Sequence, residues 1–429
     1  MKGNIQVPKG TRDFTSKVMF RRNYIFKKVR SCFERYGYAP IETPAMENIE
    51  TLSGKYGQEG DRLIFKVLNS GDFLSKSKID STTTSKSLSK DISNKALRYD
   101  LTVPFARFVV NNQNQITFPF KRYQMQNVWR ADRPQKGRFR EFYQCDADII
   151  GTRSLIAEIE LVQLYDEVFY SLGLDDVSVK LNNRKILSGI AQVVGEEEKI
   201  IEITVALDKL DKIGEEKVKE EMYAKGISKE TVSKMDILFK LNGSNSEKLN
   251  KLKSFLKESA IGLEGVEEIT KVVKRLDNLK LQCSKLKIDV TLARGLNYYT
   301  GAIFEVQTNA VEIGSIGGGG RYDNLTGIFG LDNMSGVGIS FGFDRICIVL
   351  ESLGLFPDLT EKGTQVLFAN FGEAEVDYCL KMLKQLRSEG VQSEIYPDNV
   401  KMKKQMQYAD RKNVQYVLLI GENEIKTNT

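Results

Sequence analysis

The sequence contains no histidine among its 429 residues, which excludes any mechanism that uses a protein imidazole as base, nucleophile or metal ligand. Any chemistry must therefore use arginine, carboxylate, tyrosine or a bound ion. Cysteine is also sparse, and none of the cysteines forms a close pair in the sequence, so neither a zinc site nor a disulfide framework is predicted. We interpret all of them as reduced core residues: Cys32, Cys145, Cys283, Cys347 and Cys379.

Long apolar runs are missing as well. The N-terminal sequence lacks the apolar core that a signal peptide needs, and no later segment approaches the length of a membrane span. We therefore expect a cytoplasmic protein. A net charge of +6 permits an anionic partner but is too small to identify nucleic acid by itself. The length of the chain predicts two or three domains.

Four segments of different character define the predicted domains. Residues 1–184 alternate helical and strand patterns, whereas 185–284 are rich in Lys and Glu at helical spacing. The latter segment predicts a helical module inserted within the first domain. Strand patterns resume over 285–360. Residues 364–429 show the β/α alternation that is typical of a small α/β domain.

Several elements can be predicted from local patterns. Residues 19–36 have apolar side chains at helical spacing, and Gly37 ends this helix. Residues 61–68 and 95–103 predict a pair of strands. Between them, residues 75–95 contain almost no core-forming side chains, so we expect a long mobile loop. The same patterns predict one further helix over 151–170 and further strands over 177–181, 286–292 and 303–306.

The densest polar pattern lies in residues 128–151. On extended strands, alternate side chains share a face. Here one face would carry Arg130 and Asp132 before the RPQKG turn, and Arg138, Arg140, Phe142, Gln144, Asp146 and Asp148 after it. Arginine presents a planar fork of donors to phosphate oxygens, and Phe142 offers a flat ring to a base. The pattern predicts two strands that line a nucleotide beside a polar substrate, or alternatively a solvated hairpin.

Two further segments have polar side chains that a site could use. Arg98, Asp100 and Thr102 share one face of the predicted strand, where a carboxylate and a hydroxyl could receive an ammonium group. The alternative is a solvated strand face. Tyr298 and Tyr299 follow Arg294 in RGLNYYT, although adjacent tyrosines are also common in half-buried packing.

The third segment, 285–360, contains a glycine run and an arginine that could also belong to the site. The run Gly317 to Gly320 lets the backbone approach a ligand, or forms a flexible turn. Arg345 lies in the first turn of a predicted helix, where it could bind an anion or cap a surface. Arg130, Arg294 and Arg345 together suit activation of a carboxylate by ATP, because that reaction needs positioned cations more than a proton-transfer group.

These motifs resemble the histidyl-tRNA synthetase family, within the class II aminoacyl-tRNA synthetases, over essentially the whole chain. PIETPAMENIE resembles the first class II motif, VWRADRP through REFYQ the second and GISFGFDRI the third. RGLNYYTG and GGGGRYDNL resemble the two signatures of the histidine enzymes. The resemblance implies an α+β fold: an antiparallel sheet flanked by helices, a helical insertion, and a C-terminal anticodon-binding α/β domain. The chain ends soon after VQYVLLIG, which leaves that domain either complete or truncated.

The resemblance also implies roles for residues at matching positions. For ATP it places Arg130 on the α-phosphate, Asp132 near adenine, Arg138 near the γ-phosphate, Phe142 on the base and Arg345 on the far side. Arg130 and Arg294 are the implied catalytic residues, with Arg294 between the histidine carboxylate and the α-phosphate. Mg²⁺ accompanies ATP in this expectation, without assigned ligands.

For histidine, the resemblance implies that the amino group is received by Asp100, Thr102 and Gln144, and that the imidazole is read by Asp148 and Tyr299, next to Tyr298. A neutral imidazole has one donor and one acceptor, which a carboxylate and a phenol satisfy at opposite nitrogens. Asp148 stands where many bacterial members of the family have Glu. The implied partners are tRNA(His) and a second copy of the chain, in a homodimer formed through the first motif around Pro44.

Two other functions share parts of this pattern. A synthetase-like regulatory subunit of histidine biosynthesis resembles the catalytic core but lacks the anticodon domain and typically has eroded signatures. A stress sensor that binds uncharged tRNA would include a kinase domain. Because the signatures here are intact, we favour a histidine–tRNA ligase that forms histidyl-adenylate and transfers histidine to the 3′ end of tRNA.

Overall fold

The computed structural model describes residues 5–75, 77, 79–80, 83–207, 209–293, 298–357 and 363–427. It divides into two compact units, Met1–Asp13 with Arg22–Leu355 and Phe14–Arg21 with Phe356–Thr429. The strands in chain order are β1 Ala39–Pro40, β2 Met46–Asn48, β3 Lys66–Val67, β4 Lys95–Leu97, β5 Phe120–Trp129, β6 Glu141–Ile150, β7 Val177–Asn183, β8 Ser284–Ile288, β9 Ala302–Thr308, β10 Gly317–Tyr322, β11 Gly336–Gly342, β12 Val366–Phe368, β13 Ser393–Ile395 and β14 Tyr416–Leu418.

The helices surround these strands and fill most of the segment between β7 and β8. In chain order they are α1 Ser16–Arg35, α2 Ile49–Leu52, α3 Gly57–Arg62, α4 Ser85–Ile92, α5 Thr102–Asn112, α6 Ile156–Ser171, α7 Arg184–Val194, α8 Ile200–Leu207, α9 Leu210–Ala224, α10 Lys229–Lys234, α11 Asp236–Phe239, α12 Asn245–Phe255, α13 Ala260–Leu279, α14 Phe343–Ser352, α15 Glu373–Ser388, α16 Met402–Arg411 and α17 Glu422–Thr427.

The first unit is built on an eight-stranded sheet with the order β1-β5-β6-β11-β10-β9-β7-β8. Its central pairings are antiparallel, while β1 with β5 and β7 with β8 are parallel. The predicted strand pair around RPQKG is confirmed, because β5 and β6 pair along their whole lengths. Gly137 in the turn has φ 71°, a conformation that glycine adopts without a steric penalty.

Helices cover one face of this sheet. Phe341 on β11 is fully buried, and its ring lies 5.8 Å from that of Phe33 on α1 and 4.8 Å from that of Tyr165 on α6. Cys145 and Ala147 on β6 are also fully buried. Because successive strand side chains alternate between faces, even-numbered β6 residues point away from these odd-numbered ones. The sheet therefore presents Phe142, Gln144, Asp146 and Asp148 together on its other face.

Helices predominate from α7 to α13, as the Lys- and Glu-rich pattern predicts. Gly189 on α7 and Gly262 on α13 allow a close approach, since a Cβ at Gly189 would lie 2.5 Å from the Gly262 Cα. In the second unit, β13, β12 and β14 form a parallel sheet in that order. Within the described ranges, none of the helices is long and apolar enough to cross a membrane.

Several local predictions for the first segment were wrong. The expected strand over 95–103 ends at Leu97, and α5 begins at Thr102, so Asp100 and Thr102 do not share a strand face with Arg98. Pro104 in the first turn of α5 suits a helix start, and the Asp100 carboxylate accepts the Val103 N–H at 3.1 Å. The hydrogen bond from the Val103 N–H to Asp100 thus stabilises a helix start where the strand-forming side chains of 95–103 predicted an extended chain.

Two neighbouring predictions also failed in part. Residues 61–68 form only β3, after α3 ends at Arg62. The segment 75–95, predicted as a loop, contains α4 with a capping box between Thr84 and Ser87.

Two predictions later in the chain can also be compared with the structure. The strand predicted over 286–292 is present only in part, because β8 ends at Ile288. The glycine run forms β10 in the middle of the large sheet, so the flexible-turn alternative is wrong.

Candidate active site

Two adjoining cavities lie on the face of the sheet opposite α1 and α6. The larger has a volume of about 310 Å³ and the smaller about 30 Å³. Both are lined by Gln144, Tyr299, Gly318 and Ser340, so the walls are shared. A polar molecule that spans these side chains would therefore contact both spaces.

The larger cavity is lined by three arginines from separate parts of the chain, Arg130, Arg138 and Arg345. Arg130 follows β5, and its Nε donates to the Tyr99 carbonyl at 3.1 Å. Arg345, in the first turn of α14, donates from Nε to the Gly137 carbonyl at 2.8 Å and from Nη1 to the Ser315 carbonyl at 2.6 Å. These backbone acceptors fix the guanidinium groups without neutralising their charge.

The arginines repel one another. Burial lowers the pKa of Arg345 from its ordinary value, and the positive charges of Arg138 and Arg130 lower it further. Like charges held close together are unfavourable unless an anion joins them. The larger cavity is therefore suited to an anion, because the forked donors of arginine match phosphate oxygens.

The remaining walls of the larger cavity suit a nucleotide. Phe142 on β6 lies beside Arg130, whose guanidinium carbon is 5.3 Å from the ring centroid. Asp132 also lines the cavity, and its Oδ1 is 3.9 Å from Arg138 Nη1. Gly317, Gly318 and Gly319 on β10 form an open floor. A Cβ at Gly319 would lie 2.2 Å from the Gly338 carbonyl oxygen, so side chains are excluded there by close strand packing.

The smaller cavity is lined by three buried carboxylates, Asp100, Asp146 and Asp148, each at most 2% exposed. Asp148 Oδ2 lies 2.7 Å from Arg122 Nη2, and Asp148 Oδ1 accepts the Tyr322 hydroxyl at 2.8 Å. Burial raises the pKa of the Asp148 carboxyl, and the Arg122 charge opposes this rise. Asp148 is thus held by two groups of the protein itself.

Asp100 is also strongly engaged. Its Oδ1 accepts hydrogen bonds from the Tyr56 hydroxyl at 3.0 Å and from the Val103 N–H, and its Oδ2 accepts from the Tyr298 hydroxyl at 3.1 Å. Burial raises the pKa of the Asp100 carboxyl, against these hydrogen bonds and the Arg130 charge. Thr102, one helical position before Val103, lines the same cavity.

Asp146 and Gln144 have unused acceptors. Asp146 Oδ1 and Gln144 Oε1 are buried and make no hydrogen bond among the residues that the structure describes. The Gln144 amide donates from Nε2 to Ser340 Oγ at 3.0 Å. Burial raises the pKa of the Asp146 carboxyl to about 7, with the Arg122 charge opposing the rise. Two acceptors thus point into a small space without a partner.

Each described residue to which the resemblance gives a role at the site lines one of the two cavities, whereas Arg98 and Arg140 line neither and donate to backbone carbonyls. Arg130, Asp132, Arg138, Phe142 and Arg345 line the larger one, whereas Asp100, Thr102, Asp148 and Tyr298 line the smaller one. Gln144 and Tyr299 line both. Arg294 lies outside the described residues.

Sequence reasoning missed several residues that hold the carboxylates of the smaller cavity in place. Arg122, Tyr56 and Tyr322 hold the carboxylates, and Asp146 was placed on the correct face without a role. Arg122, Gln124 and Gln126 alternate along β5, which is the pattern of one polar strand face and the signal that could have identified Arg122. Tyr56 had no comparable signal, because it precedes a short helix distant in sequence.

Known proteins were compared with this chain. Residues 10–346 match the family model described as histidyl-tRNA synthetase, and residues 365–429 match the anticodon binding domain. A histidine–tRNA ligase from Christiangramia forsetii is 60% identical over 422 residues, covering 98% of this chain and 92% of the relative. One from Phocaeicola vulgatus is 57% identical over 422 residues, with the same coverage of 98% and 92%.

Solved structures agree in fold. The crystal structure of histidyl-tRNA synthetase from Nostoc sp. PCC 7120 has a TM-score of 0.79 and 32% identity, covering 99% of this chain and 94% of that one. A Bacillus halodurans protein described as an ATP phosphoribosyltransferase regulatory subunit/histidyl-tRNA synthetase has a TM-score of 0.76 at 20% identity, covering 98% and 99%, and shows the fold alone. The matched family model and the close relatives show that the chain belongs to the histidyl-tRNA synthetase family.

Proposed function

We propose that this protein activates L-histidine with ATP to histidyl-adenylate and then transfers histidine to the 3′ end of tRNA(His), releasing pyrophosphate and AMP. The observation that carries this proposal is the junction of an arginine-lined cavity with a carboxylate-lined one, through Gln144, Tyr299, Gly318 and Ser340. An amino acid in the smaller cavity would direct its carboxylate towards a nucleotide in the larger one.

In the larger cavity, Arg130 would bind the α-phosphate and Arg138 the γ-phosphate, with Arg345 on the far side of ATP. Phe142 would stack on the base, and Asp132 would lie near adenine. Support comes from the mutual repulsion of the three guanidinium groups, which a polyphosphate would relieve. The positions of Arg130 and Arg345 are fixed by backbone carbonyls, so little reorganisation is needed when negative charge develops.

In the smaller cavity, Asp100, Thr102 and Gln144 would receive the amino group, and Asp148 and Tyr299 would read the imidazole beside Tyr298. The unpartnered Gln144 Oε1 supports the first assignment. Since Asp148 already holds Arg122 and Tyr322, its contact with imidazole would be a further hydrogen bond to an oxygen that is fixed in place. Polar groups that are fixed in this way favour histidine over amino acids that cannot satisfy them.

The chemical step requires the histidine carboxylate to attack the α-phosphate, with pyrophosphate as the leaving group. Arg130 and Arg294 would stabilise the negative charge on the α-phosphate oxygens and orient the two anions. No proton-transfer group is needed at this step, because the nucleophile is already a carboxylate. A chain without histidine can therefore perform it.

Mg²⁺ would accompany ATP. Among the residues described, no group of three or more Cys, Asp and Glu side chains is arranged to hold a metal. Mg²⁺ usually keeps several waters and binds through substrate phosphates and one or two carboxylates. Asp132 and Glu305 line the larger cavity and could supply such a carboxylate. The ion would thus be held mainly by ATP, whose phosphate charge it would reduce.

The remaining partners follow from the family. Residues 364–429 would bind the anticodon region of tRNA(His), while 1–184 and 285–360 form the catalytic core around the insertion 185–284. A homodimer would form around Pro44, where Pro44 and Met46 are exposed and Met46 keeps 51% of its surface. We place the reaction in the cytoplasm.

The test is ATP–pyrophosphate exchange with each amino acid in turn. Only L-histidine is expected to support exchange, by a factor of about 10⁴ or more over other amino acids, because unpaired buried polar groups penalise substrates that lack the imidazole. A regulatory protein that only binds histidine would give no exchange with any of them. Efficient exchange with a different amino acid would contradict the assignment of the smaller cavity.

A further inference from the structure

The three carboxylates of the smaller cavity differ in what they already bind. Asp100 accepts three hydrogen bonds from the protein, and both oxygens of Asp148 are held by Arg122 and Tyr322. Asp146 differs, because its side chain has a hydrogen bond only with Ser340 among the described residues, and its Oδ1 is buried and unpartnered among them. Leaving a buried acceptor unused is costly, so this oxygen is expected to have a ligand.

A second acceptor lies beside it. Gln144 precedes Asp146 by two positions on β6, so both side chains point to the same face, about 7 Å apart along the strand. Gln144 Oε1 is likewise buried and unpartnered among the described residues. Two neighbouring acceptors without donors call for a ligand with several donors, and an ammonium group has three.

The charges around Asp146 favour a cation. Arg122 on β5 is the positive group that faces it, whereas Asp148 on β6 and Asp100 before α5 face it with negative charge. The other titratable neighbours are uncharged at neutral pH, because burial raises their pKa values: Cys145, Tyr165 and Tyr299. The Arg122 guanidinium thus faces three clustered carboxyl groups, so a cationic ligand would be favourable there.

We propose that Asp146 is a specificity-determining residue that receives the α-ammonium group of histidine, together with Gln144. This inference rests on the proposed function and adds to it a carboxylate that the family motifs did not assign. Asp100, which also holds Tyr56, Tyr298 and the start of α5, keeps its proposed contact with the amino group, and Asp146 adds a second carboxylate to it.

The experiment compares Asp146→Asn with wild type in two binding titrations, without ATP. The ligands are L-histidine and 3-(imidazol-4-yl)propionate, which keeps the ring and the carboxylate but lacks the ammonium. We expect the variant to weaken histidine binding by about tenfold or more, as for a lost charge-assisted hydrogen bond, and to change binding of the analogue by less than about threefold.

The matched control is Asp61→Asn. Asp61 Oδ1 is also buried and unpartnered among the described residues, but Asp61 lines neither cavity. This variant should leave both affinities unchanged. If Asp146→Asn does not fold, Asp146→Ser gives the same comparison with a smaller side chain.

A pH series provides a readout that a purely structural role would not affect. Because the pKa of Asp146 is raised to about 7 in the free protein, the protonated side chain resembles Asn at low pH. The ratio of the histidine Kd values of variant and wild type should therefore be small near pH ~6 and grow towards pH ~8. Taking this ratio cancels the titration of the histidine ligand itself.

Three results would overturn the inference: an unchanged histidine Kd, equal weakening of both ligands, or a Kd ratio that does not vary with pH. Equal weakening would assign Asp146 to the ring instead of the ammonium. Failure of the proposed function is distinguishable, since wild type would then give no histidine-dependent pyrophosphate exchange. Wild-type exchange with an unaffected Asp146→Asn variant would contradict this inference alone.

Discussion

Gly338 on β11 lies opposite Asp148 on β6, so closely that a Cβ atom at position 338 would be 1.9 Å from Asp148 Oδ1. The carboxylate occupies the space where any other residue would place its side chain. Because Asp148 is already fixed by Arg122 and Tyr322, it cannot move aside without breaking those contacts. The absence of a side chain at one strand position therefore determines where the carboxylate of the next strand points.

We predict that Gly338→Ala weakens histidine binding at least as much as Asp148→Asn does. The added methyl group displaces the carboxylate from Arg122, and separating a buried ion pair is strongly unfavourable. Titration of L-histidine and of ATP, each alone, measures the effect. ATP serves as the internal control, since Gly338 does not line the larger cavity. An equal loss of both affinities would indicate general distortion of the sheet and contradict a local displacement.

A second prediction concerns stability and pH. The pKa of Asp146 is raised from an ordinary value of 3.8 to about 7, mainly by burial. The folded state therefore binds this proton more tightly than the unfolded state does, so stability decreases as pH rises between these two values. Asp146→Asn removes the titrating group, and it should raise the melting temperature by about 2 °C or more near pH ~8.

Near pH ~3, below the ordinary value of 3.8, the same substitution should have much less effect, because both states then largely hold the proton. Melting curves of wild type and variant at several pH values, without ligands, provide the measurement. A stability difference that is the same at both pH values would show that charge burial is not its cause. Loss of histidine affinity with a gain in stability would indicate that the buried carboxylate is retained for binding.

The sequence predicted the residues of the site more accurately than the helices and strands on which they lie. Arg130, Phe142, Gln144 and Asp148 could be placed correctly because strand alternation is a local property, and RPQKG is a clear turn. The role of Arg122 depends on its pairing with Asp148 in the neighbouring strand. That pairing is set by sheet register and is not visible in either segment alone.

Local patterns failed where a few polar contacts decide the conformation. Residues 95–103 are rich in strand-forming side chains, yet hydrogen bonds to Asp100 from Tyr56 and Tyr298 fix that carboxylate at the start of α5. Both tyrosines are distant in sequence. In residues 75–95 the absence of core-forming side chains concealed α4, whose start depends on the cap formed by Thr84 and Ser87.

A third prediction concerns the chemical step. Arg294→Ala should reduce the rate of adenylate formation by about 10²-fold or more, because a removed donor to a developing oxyanion typically costs this much. Affinities for histidine and ATP should change much less, since the contact strengthens in the transition state. Single-turnover adenylation at saturating substrates measures the rate. Arg345→Ala is the comparison, and its main expected effect is weaker ATP binding.

An unchanged adenylation rate in Arg294→Ala would reduce Arg294 to a packing residue. If the adenylation rate and the ATP affinity were unchanged in both Arg294→Ala and Arg345→Ala, the phosphates of ATP would have to bind outside the larger cavity. The two arginines are therefore tested separately, one through a rate and the other through a binding constant.

The last prediction concerns RNA binding by the second unit. Residues 364–429 contain nine Lys plus Arg and nine Asp plus Glu, so net charge alone would not attract tRNA. The local exception is 401–412, which carries five basic residues and one acidic residue and contains the whole of α16. Lys403 and Lys404 are exposed on it, whereas Lys412 is paired with Glu394 at 2.8 Å.

We predict that reversing the charge of both, Lys403→Glu with Lys404→Glu, weakens tRNA binding and flattens its dependence on salt, because phosphate contacts release counterions. Histidine-dependent pyrophosphate exchange should be unchanged, since neither residue lines the two cavities. The matched control reverses Lys381 and Lys384, which are exposed on α15 in the same unit. If tRNA affinity at several salt concentrations is the same for wild type and the α16 variant, this helix face meets only solvent, and the anticodon contact lies on another surface of the domain.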